Sequence, residues 1–356
     1  MRILSLAALQ ACRQYRRRRA RARTSGRGGE SVRRRVAVAW SIALLVAATA
    51  TAAAADGLPA ITVRAGKADS LNHALAVQFS EAIANGGNGA LTLVVEESQG
   101  SVQNVIDATR RGADYIFTTS PNVIVEARRG DKPFRHNARY GEIRALFPIP
   151  AQTMHWLVRA DSGVEHFADL AEKPFIPGAK GSFGERQTAS ALHVLGLDEK
   201  VQLIDIDTAG AQTALKGSQV IGIAVAGPFP LPQVSELARA MPVRMLSLSP
   251  DELAKVLAAD DSTVAQIIPK GTYPGITQEI TSVALPAGAY TTTRMSNATA
   301  YAITKAFWSQ RDALARRSPS WDAVRPDTLA SLGIKLHKGA LRYYKEAGVT
   351  VPAALR

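Results

Sequence analysis

Residues able to do metal, acid–base or nucleophilic chemistry are scattered along this sequence, and their spacing decides against most of them. The six histidines are His73, His136, His155, His166, His193 and His337; no two stand three to five residues apart, and none lies in an HExxH pattern. A site built on one helix face or one strand needs such pairs, so no metal ligand set is expected. Carboxylate neighbours occur at Glu96 and Glu97, at Asp205 and Asp207, and at Asp260 and Asp261. Adjacent strand residues point to opposite faces, so Glu96 and Glu97 do not make a close pair, and Asp205 with Asp207 reads as a solvated strand end. There is no GxSxG or SxxK motif to supply a serine nucleophile. The single cysteine, Cys12, lies near the N-terminus and leaves the rest of the chain without thiol chemistry. No catalytic residue and no cofactor is expected.

What remains is loop chemistry. Gly178 to Arg186, GAKGSFGER, spaces three glycines as GxxGxxG. This matches neither GxGxxG nor GxxxxGK[ST], and the lysine precedes the last two glycines instead of following them. The stretch lies between the strand-like PFIPG at Pro174 and a helical run, with Ser182 placed to cap the helix. A helix start carries unpaired N–H groups and partial positive charge, so Ser182 and the amides of Phe183 and Gly184 are candidate donors to an anion. A counterpart occurs earlier, where LTLVVEE at Leu91 leads into SQGSVQNVIDATRRG and Ser98, Gly100 and Ser101 precede a helix. A serine-capped turn without ligand accounts for either stretch alone. Together they favour binding, because ligands of open α/β sheets sit at the carboxyl ends of the strands.

The elements that would hold these loops alternate strand and helix. Strands are expected at 61, 91, 114, 143 and 155, and again at 174, 201, 221, 243 and 281. Helices fit Ser70–Asn85, Ser101–Arg111, Asn122–Arg129, Glu185–Leu195, Ala209–Lys216, Pro232–Ala240, Pro250–Ala259, Asn297–Arg317 and Lys338–Ala347. Two α/β sets in succession predict two similar lobes, with the helical C-terminal part packing back on the first. The division expected is lobe I at 56–157 plus 279–356 and lobe II at 158–278. Crossings near Leu157–Arg159 and Glu279–Val283 would form a hinge with a cleft beneath it.

The net charge of +13 suggests nucleic acid only until it is located. Residues 1–55 hold 12 of the 43 basic residues and only Glu30 among the acids, which leaves 31 basic against 29 acidic residues in the remainder. That nearly neutral body lacks the electrostatic footprint of a nucleic-acid binder. Arg33–Arg35, the apolar run from Val36 and Ala53–Ala55 form the three parts of a cleavable signal peptide, with cleavage expected near Ala55. A retained anchor is the alternative, weakened by the Ala- and Thr-rich second half of the run. The mature protein is expected to be a soluble monomer in the periplasm.

The ordered pieces VEESQGSVQNVIDATRRGADYIFTTSPNV, LVRADSGVEHFADL, GAKGSFGERQTASALHVLGL, AQTALKGSQVIGIAVAGPFP and IIPKGTYPGI, the last followed by TSVALPAG, resemble the TAXI-type solute receptors of TRAP transporters from about Ile61 to Tyr344. The resemblance implies a two-lobed, Venus-flytrap periplasmic binding protein of type II. Such a receptor captures a small organic solute, a carboxylate or amino-acid-like zwitterion, and delivers it to TRAP membrane subunits. Carried over by position, it implies a ligand site at Ser98, Gly100, Ser101, Ser120, Gly181, Ser182, Phe183, Gly184, Gly227, Pro228 and Tyr273. A same-fold receptor for an ABC importer or a membrane sensor kinase is the alternative.

The sequence departs from that family after its first strand. AGKADSLNHALA stands where a Gly-Gly segment followed by tyrosine is usual, and Phe183 replaces a small residue. Lys67 in that loop, or His155, is a candidate counter-charge for a carboxylate, with a solvated lysine and a packed strand histidine as the plainer readings.

Overall fold

A computed structural model describes residues 60–68, 70–206 and 208–356. The Arg-rich leader, the expected signal peptide with its expected cleavage near Ala55, Cys12, Asp69 and Asp207 lie outside the described residues. Among the described residues no helix is long and apolar enough to cross a membrane.

Among the described residues ten strands form one continuous sheet: β1 (Ile61–Arg64), β2 (Leu93–Glu96), β3 (Tyr115–Thr119), β4 (Ile143–Arg159), β5 (Pro174–Ile176), β6 (Gln202–Leu203), β7 (Gly222–Gly227), β8 (Val243–Met245), β9 (Val264–Ile268) and β10 (Ile280–Thr292). Their order is β2-β1-β3-β10-β4-β7-β5-β6, with β8 on β4 and β9 on β10. Within each half the short strands run parallel, β1 with β2 and β3, and β5 with β6 and β7. The long strands β4 and β10 run antiparallel to each other and to their neighbours, and pass through both halves. This is an α/β fold of two lobes that share two long strands, as expected for a two-lobed binding protein.

The sequence reading places two strands where β4 stands, at 143 and 155, with Pro150 between them. The fold keeps one 17-residue strand. Proline removes a donor, so it is tolerated where the ladder is already broken. That break is visible: Leu285 pairs with Gln152 and Ala287 with Ile149, so Pro286 alone opposes Pro150 and Ala151. A bulge of this kind, with two prolines in it, marks the crossover between lobes. The cores change over at the same place. One cluster draws on Ile61 to Ile149 and resumes at Ala289, while two others draw on Met154 to Val283. The sequence-based division falls at 157/158 and 278/279, several residues further into lobe II than this changeover. Strand β9 has no expected counterpart; only Ile268 of its five residues is buried, so its pattern is weak.

Among the described residues nine α-helices cover the sheet: α1 (Leu71–Gly86), α2 (Ser101–Ala108), α3 (Pro121–Arg129), α4 (Phe183–Val194), α5 (Thr208–Lys216), α6 (Pro232–Ala240), α7 (Pro250–Ala259), α8 (Asn297–Arg317) and α9 (Lys338–Glu346). Their starts follow sequence chemistry. Ser70, Ser182, Ser249 and Ser296 each accept an N–H from the first turn of α1, α4, α7 and α8. Proline opens α3, α6 and α7, where a missing N–H costs nothing. Helix α8 packs on the long strand β4, with the Phe307 ring stacked on Phe147 at 4.0 Å between centroids.

Strand alternation builds the two cores of lobe II. Trp156 faces the core under α4 and α7, and its neighbour Leu157 faces the core under α5 and α6. Trp156 also fixes α4 directly, its indole N–H donating to Thr188 Oγ1 at 3.0 Å.

Candidate functional site

The carboxyl ends of β3 and β7 both reach the crossover, since Thr119 registers with Gly288 and Gly227 with Thr153. Helix α3, which follows β3, therefore begins there, and α4, which follows β5, sets its first turn beside the end of β7 at Ala226. A cleft of about 690 Å³ lies there, walled by Asn122, Glu126 and Arg129 of α3 on one side. Phe183, Arg186, Gln187 and Ser190 of α4 form the other wall, Asp260, Asp261 and Ser262 line an end, and Leu285 and Pro286 contribute from the crossing strand. A niche of about 30 Å³ adjoins it at the mouth of lobe I, lined by Asn72, Ser101, Thr118, Ser120 and Gln152 among others.

Lobe I holds its mouth rigidly. Asn104 is fully buried, and its amide donates to the carbonyls of Arg64 at 3.3 Å, Ala65 at 3.0 Å and Thr118 at 3.0 Å. One side chain thus ties the ends of β1 and β3 to α2. Ser101 and Ser120 line the niche. Ser98 sits behind it, its hydroxyl accepting the Gly100 N–H at 3.2 Å. Gly100 has φ 103°, a backbone state that favours glycine, and open space where a Cβ would stand. Neither α2 nor α3 receives a side-chain cap. The Ser120 hydroxyl donates instead to Asn122 Oδ1. Thr118 Oγ1 is buried in the niche without a partner. Lys67 is exposed and lines none of these cavities; its carbonyl accepts the Ser70 hydroxyl at 2.7 Å.

Lobe II answers the question raised by GAKGSFGER. Gly178 has φ 129°, and a Cβ there would stand 2.7 Å from the Glu185 nitrogen, so the turn needs glycine. Much of the loop's donor capacity is used internally. Ser182 Oγ accepts the Glu185 N–H at 3.1 Å, and the Gly181 N–H donates to the Glu185 carboxylate. Arg186 donates to the Gly181 carbonyl at 2.8 Å, and Lys180 pairs with Asp205 at 3.0 Å. The amides of Phe183 and Gly184 remain at the helix start, where the Phe183 side chain lines the cleft. Gly184 packs beside Ala226 of β7, a Cβ there meeting Ala226 Cβ at 3.6 Å.

Gly227 ends β7 against Leu231, and Pro228 lines a third cavity of about 340 Å³ on the crossing strands. Tyr273 is not on the cleft wall. It is 2 % exposed in the core of lobe II, with its hydroxyl 2.9 Å from His155 Nε2. His155 is the packed strand histidine, fully buried, and burial pushes its pKa down to about 4. A neutral imidazole supplies no counter-charge.

Several cleft residues had no sequence signal of their own. Asn122, Glu126 and Arg129 lie on the same side of α3, and their pattern reads as an ordinary solvated helix face. Gln187 is the exception that spacing could have exposed: it sits among the buried residues Gly184, Thr188 and Ala191, is 2 % exposed, and its Nε2 has no partner. A buried donor left unpaired is costly, and such a group on a cavity wall points to something it can bond. Among the described residues no group of three or more histidine, cysteine or carboxylate side chains is arranged to hold a metal ion.

The model of the NMT1-like family matches residues 65–348. Among solved structures, a TctC solute-binding protein from Polaromonas is similar to this chain at TM-score 0.48 and 14 % identity, over 80 % of this chain and 98 % of that one. MatC from Rhodopseudomonas palustris with bound malate is similar at TM-score 0.46 and 12 % identity, over 81 % and 96 %. The periplasmic aliphatic sulphonate binding protein SsuA from Escherichia coli is similar at TM-score 0.42 and 15 % identity, over 83 % and 96 %.

Proposed function

This chain belongs to the NMT1-like family, and from that premise we propose that it is a periplasmic receptor that binds a small organic anion or zwitterion between its lobes, without turning it over, and delivers it to a TRAP-type secondary transporter. The observation that carries this reading is the cleft at the crossover. Walls from two lobes, a pair of guanidinium groups at Arg129 and Arg186, and the unpartnered Gln187 amide converge on one space of about 690 Å³. That volume suits a small solute. Asp260 and Asp261 at the end of the same cleft give an ammonium group a partner, which extends the reading to amino-acid-like zwitterions.

Binding would couple to the hinge. A solute held by α3 from lobe I and α4 from lobe II stabilises the closed arrangement by its differential contacts with the two states. Only two strands, β4 and β10, with a proline-broken ladder at their centre, resist that rotation. The lobes are proposed as 56–157 plus 279–356 and 158–278. Their ligand-contact set is proposed as Arg129, Arg186 and Gln187 together with Ser101, Ser120, Phe183, Gly184 and Pro228, with Ser98, Gly100, Gly181, Ser182 and Gly227 shaping the loops. The ordered motifs shared with TAXI receptors support a TRAP partner, and the Arg33–Ala55 segment supports export to the periplasm.

Thermal unfolding of the purified protein against carboxylates, amino acids and neutral solutes tests the reading. A ligand at 100 times its Kd adds about 2.7 kcal/mol to a folded state that alone binds it. A shift with acids or zwitterions and none with neutral solutes is expected; a shift with neutral solutes alone overturns it. Copurification from membranes separates the partners: a multi-span permease supports the TRAP assignment, and an ATPase or a kinase replaces it.

A further inference from the structure

Three cavities meet at one residue of the crossing strands. Pro286 lines the cleft, the niche and the third cavity of about 340 Å³. That third cavity lies between the crossover, the turn at Pro228 and Phe229, and the C-terminal segment around Val324. Its chemistry differs from that of the cleft. Asp327 is the only charged residue on its wall, and Arg325 holds that carboxylate at 3.4 Å. The wall is otherwise mainly proline, alanine, branched aliphatic residues and Phe229. An anionic group placed there finds no cation and faces a carboxylate, whereas an apolar group gains by leaving water.

Strand β4 sorts the two environments within three residues. Ala151 and Thr153 line the apolar cavity and Gln152 lines the niche, because successive strand side chains point to opposite faces. Thr153 is 1 % exposed and its hydroxyl has no partner. The apolar cavity therefore carries its own unpaired hydrogen-bonding group, as the cleft does at Gln187.

We infer that the solute is amphipathic: its charged end lies in the cleft beside Arg186 and Gln187, and an uncharged, mainly apolar body passes Pro286 into the 340 Å³ cavity, where Thr153 gives it one hydrogen bond. This rests on the receptor reading above and narrows it, since a short, fully charged solute would leave the apolar cavity without a role.

Isothermal titration with straight-chain monocarboxylates and 2-amino acids of two to six carbons tests it. At about 0.8 kcal/mol per buried methylene, each added carbon should tighten Kd about fourfold until the cavity is full. Ala151→Phe, which fills the cavity, should keep the affinity for the shortest acids and abolish the gain with length. Ala265→Phe, at an exposed position on the wall of this cavity alone, is the second variant and should do the same without touching the core. Acids that bind equally well at every length, or a length dependence untouched by both variants, overturn the amphipathic assignment and leave the receptor reading standing. Binding of no acid in either series removes both.

Discussion

Tyr273 and His155 lie 118 residues apart in sequence and 2.9 Å apart between Oη and Nε2, and the bond completes a chain across the core of lobe II. The Leu231 N–H donates to Tyr273 Oη at 2.8 Å, and His155 Nδ1 faces the Thr153 carbonyl at 3.0 Å. These partners fix the tautomer: Nδ1 carries the proton, Nε2 accepts from the phenol, and the phenol accepts from Leu231. The chain links crossing strand β4 to the turn between β7 and α6, and so to the wall of the third cavity.

Tyr273→Phe should cost about 1–3 kcal/mol, because it leaves the Leu231 N–H and His155 Nε2 unpaired in the interior. Urea unfolding measures this. Solute affinity should stay within a fewfold of the unmodified protein, since Tyr273 does not line the cleft; a tenfold loss of affinity without loss of stability would return Tyr273 to the binding site.

His155 makes stability depend on pH. Its pKa is about 4 in the fold and about 6.5 when unfolded. Between pH 6.5 and 4 the unfolded chain binds the proton and the folded chain does not, so stability falls as pH falls through that window. The loss approaches roughly 3 kcal/mol by pH 4 and is absent above pH 7. Burial lowers the pKa of His337 as well, which adds a loss of the same sign. Denaturation curves from pH 7.5 to 4 should flatten in His155→Gln; an unchanged slope would show that other groups dominate.

Gln187→Leu separates binding from folding. Removing an unpartnered buried amide should leave stability of the ligand-free protein equal or raised. Affinity should fall by about tenfold, the loss expected for one hydrogen bond to a charged group. Stability lost together with affinity would make Gln187 a packing residue.

Gly178→Ala strains the loop before α4. With φ at 129° and a Cβ 2.7 Å from the Glu185 nitrogen, the backbone must move, at a cost of about 1–3 kcal/mol. Hydrogen exchange should show the loss concentrated at the start of α4, and solute binding should weaken because Phe183 and Gly184 move with it. Gly181→Ala, also at positive φ but with open space around it, should cost less.

Local chemistry made much of this protein legible from its residues. Serine caps, proline at first helical positions and apolar alternation marked most helices to within two residues and most strands of both lobes, because those choices depend on neighbours a few positions away. The glycine-rich turn and the serine-rich start of α2 were legible for the same reason. Tertiary structure alone decided the rest. Whether Pro150 ends a strand or sits in its bulge depends on what lies opposite, which is Pro286, while Pro148 stays in the ladder opposite Gly288. Whether Tyr273 faces solute or core depends on a histidine 118 residues away. Only the folded loop shows that Glu185 takes the Gly181 amide that an incoming anion would need. The cleft itself is made by helix faces whose sequence reads as solvated, and becomes a site only because β4 and β10 carry two lobes to the same edge. Sequence fixes what each segment can do with its own neighbours, while contacts between distant segments are set by packing and by which hydrogen-bonding groups burial leaves unpaired.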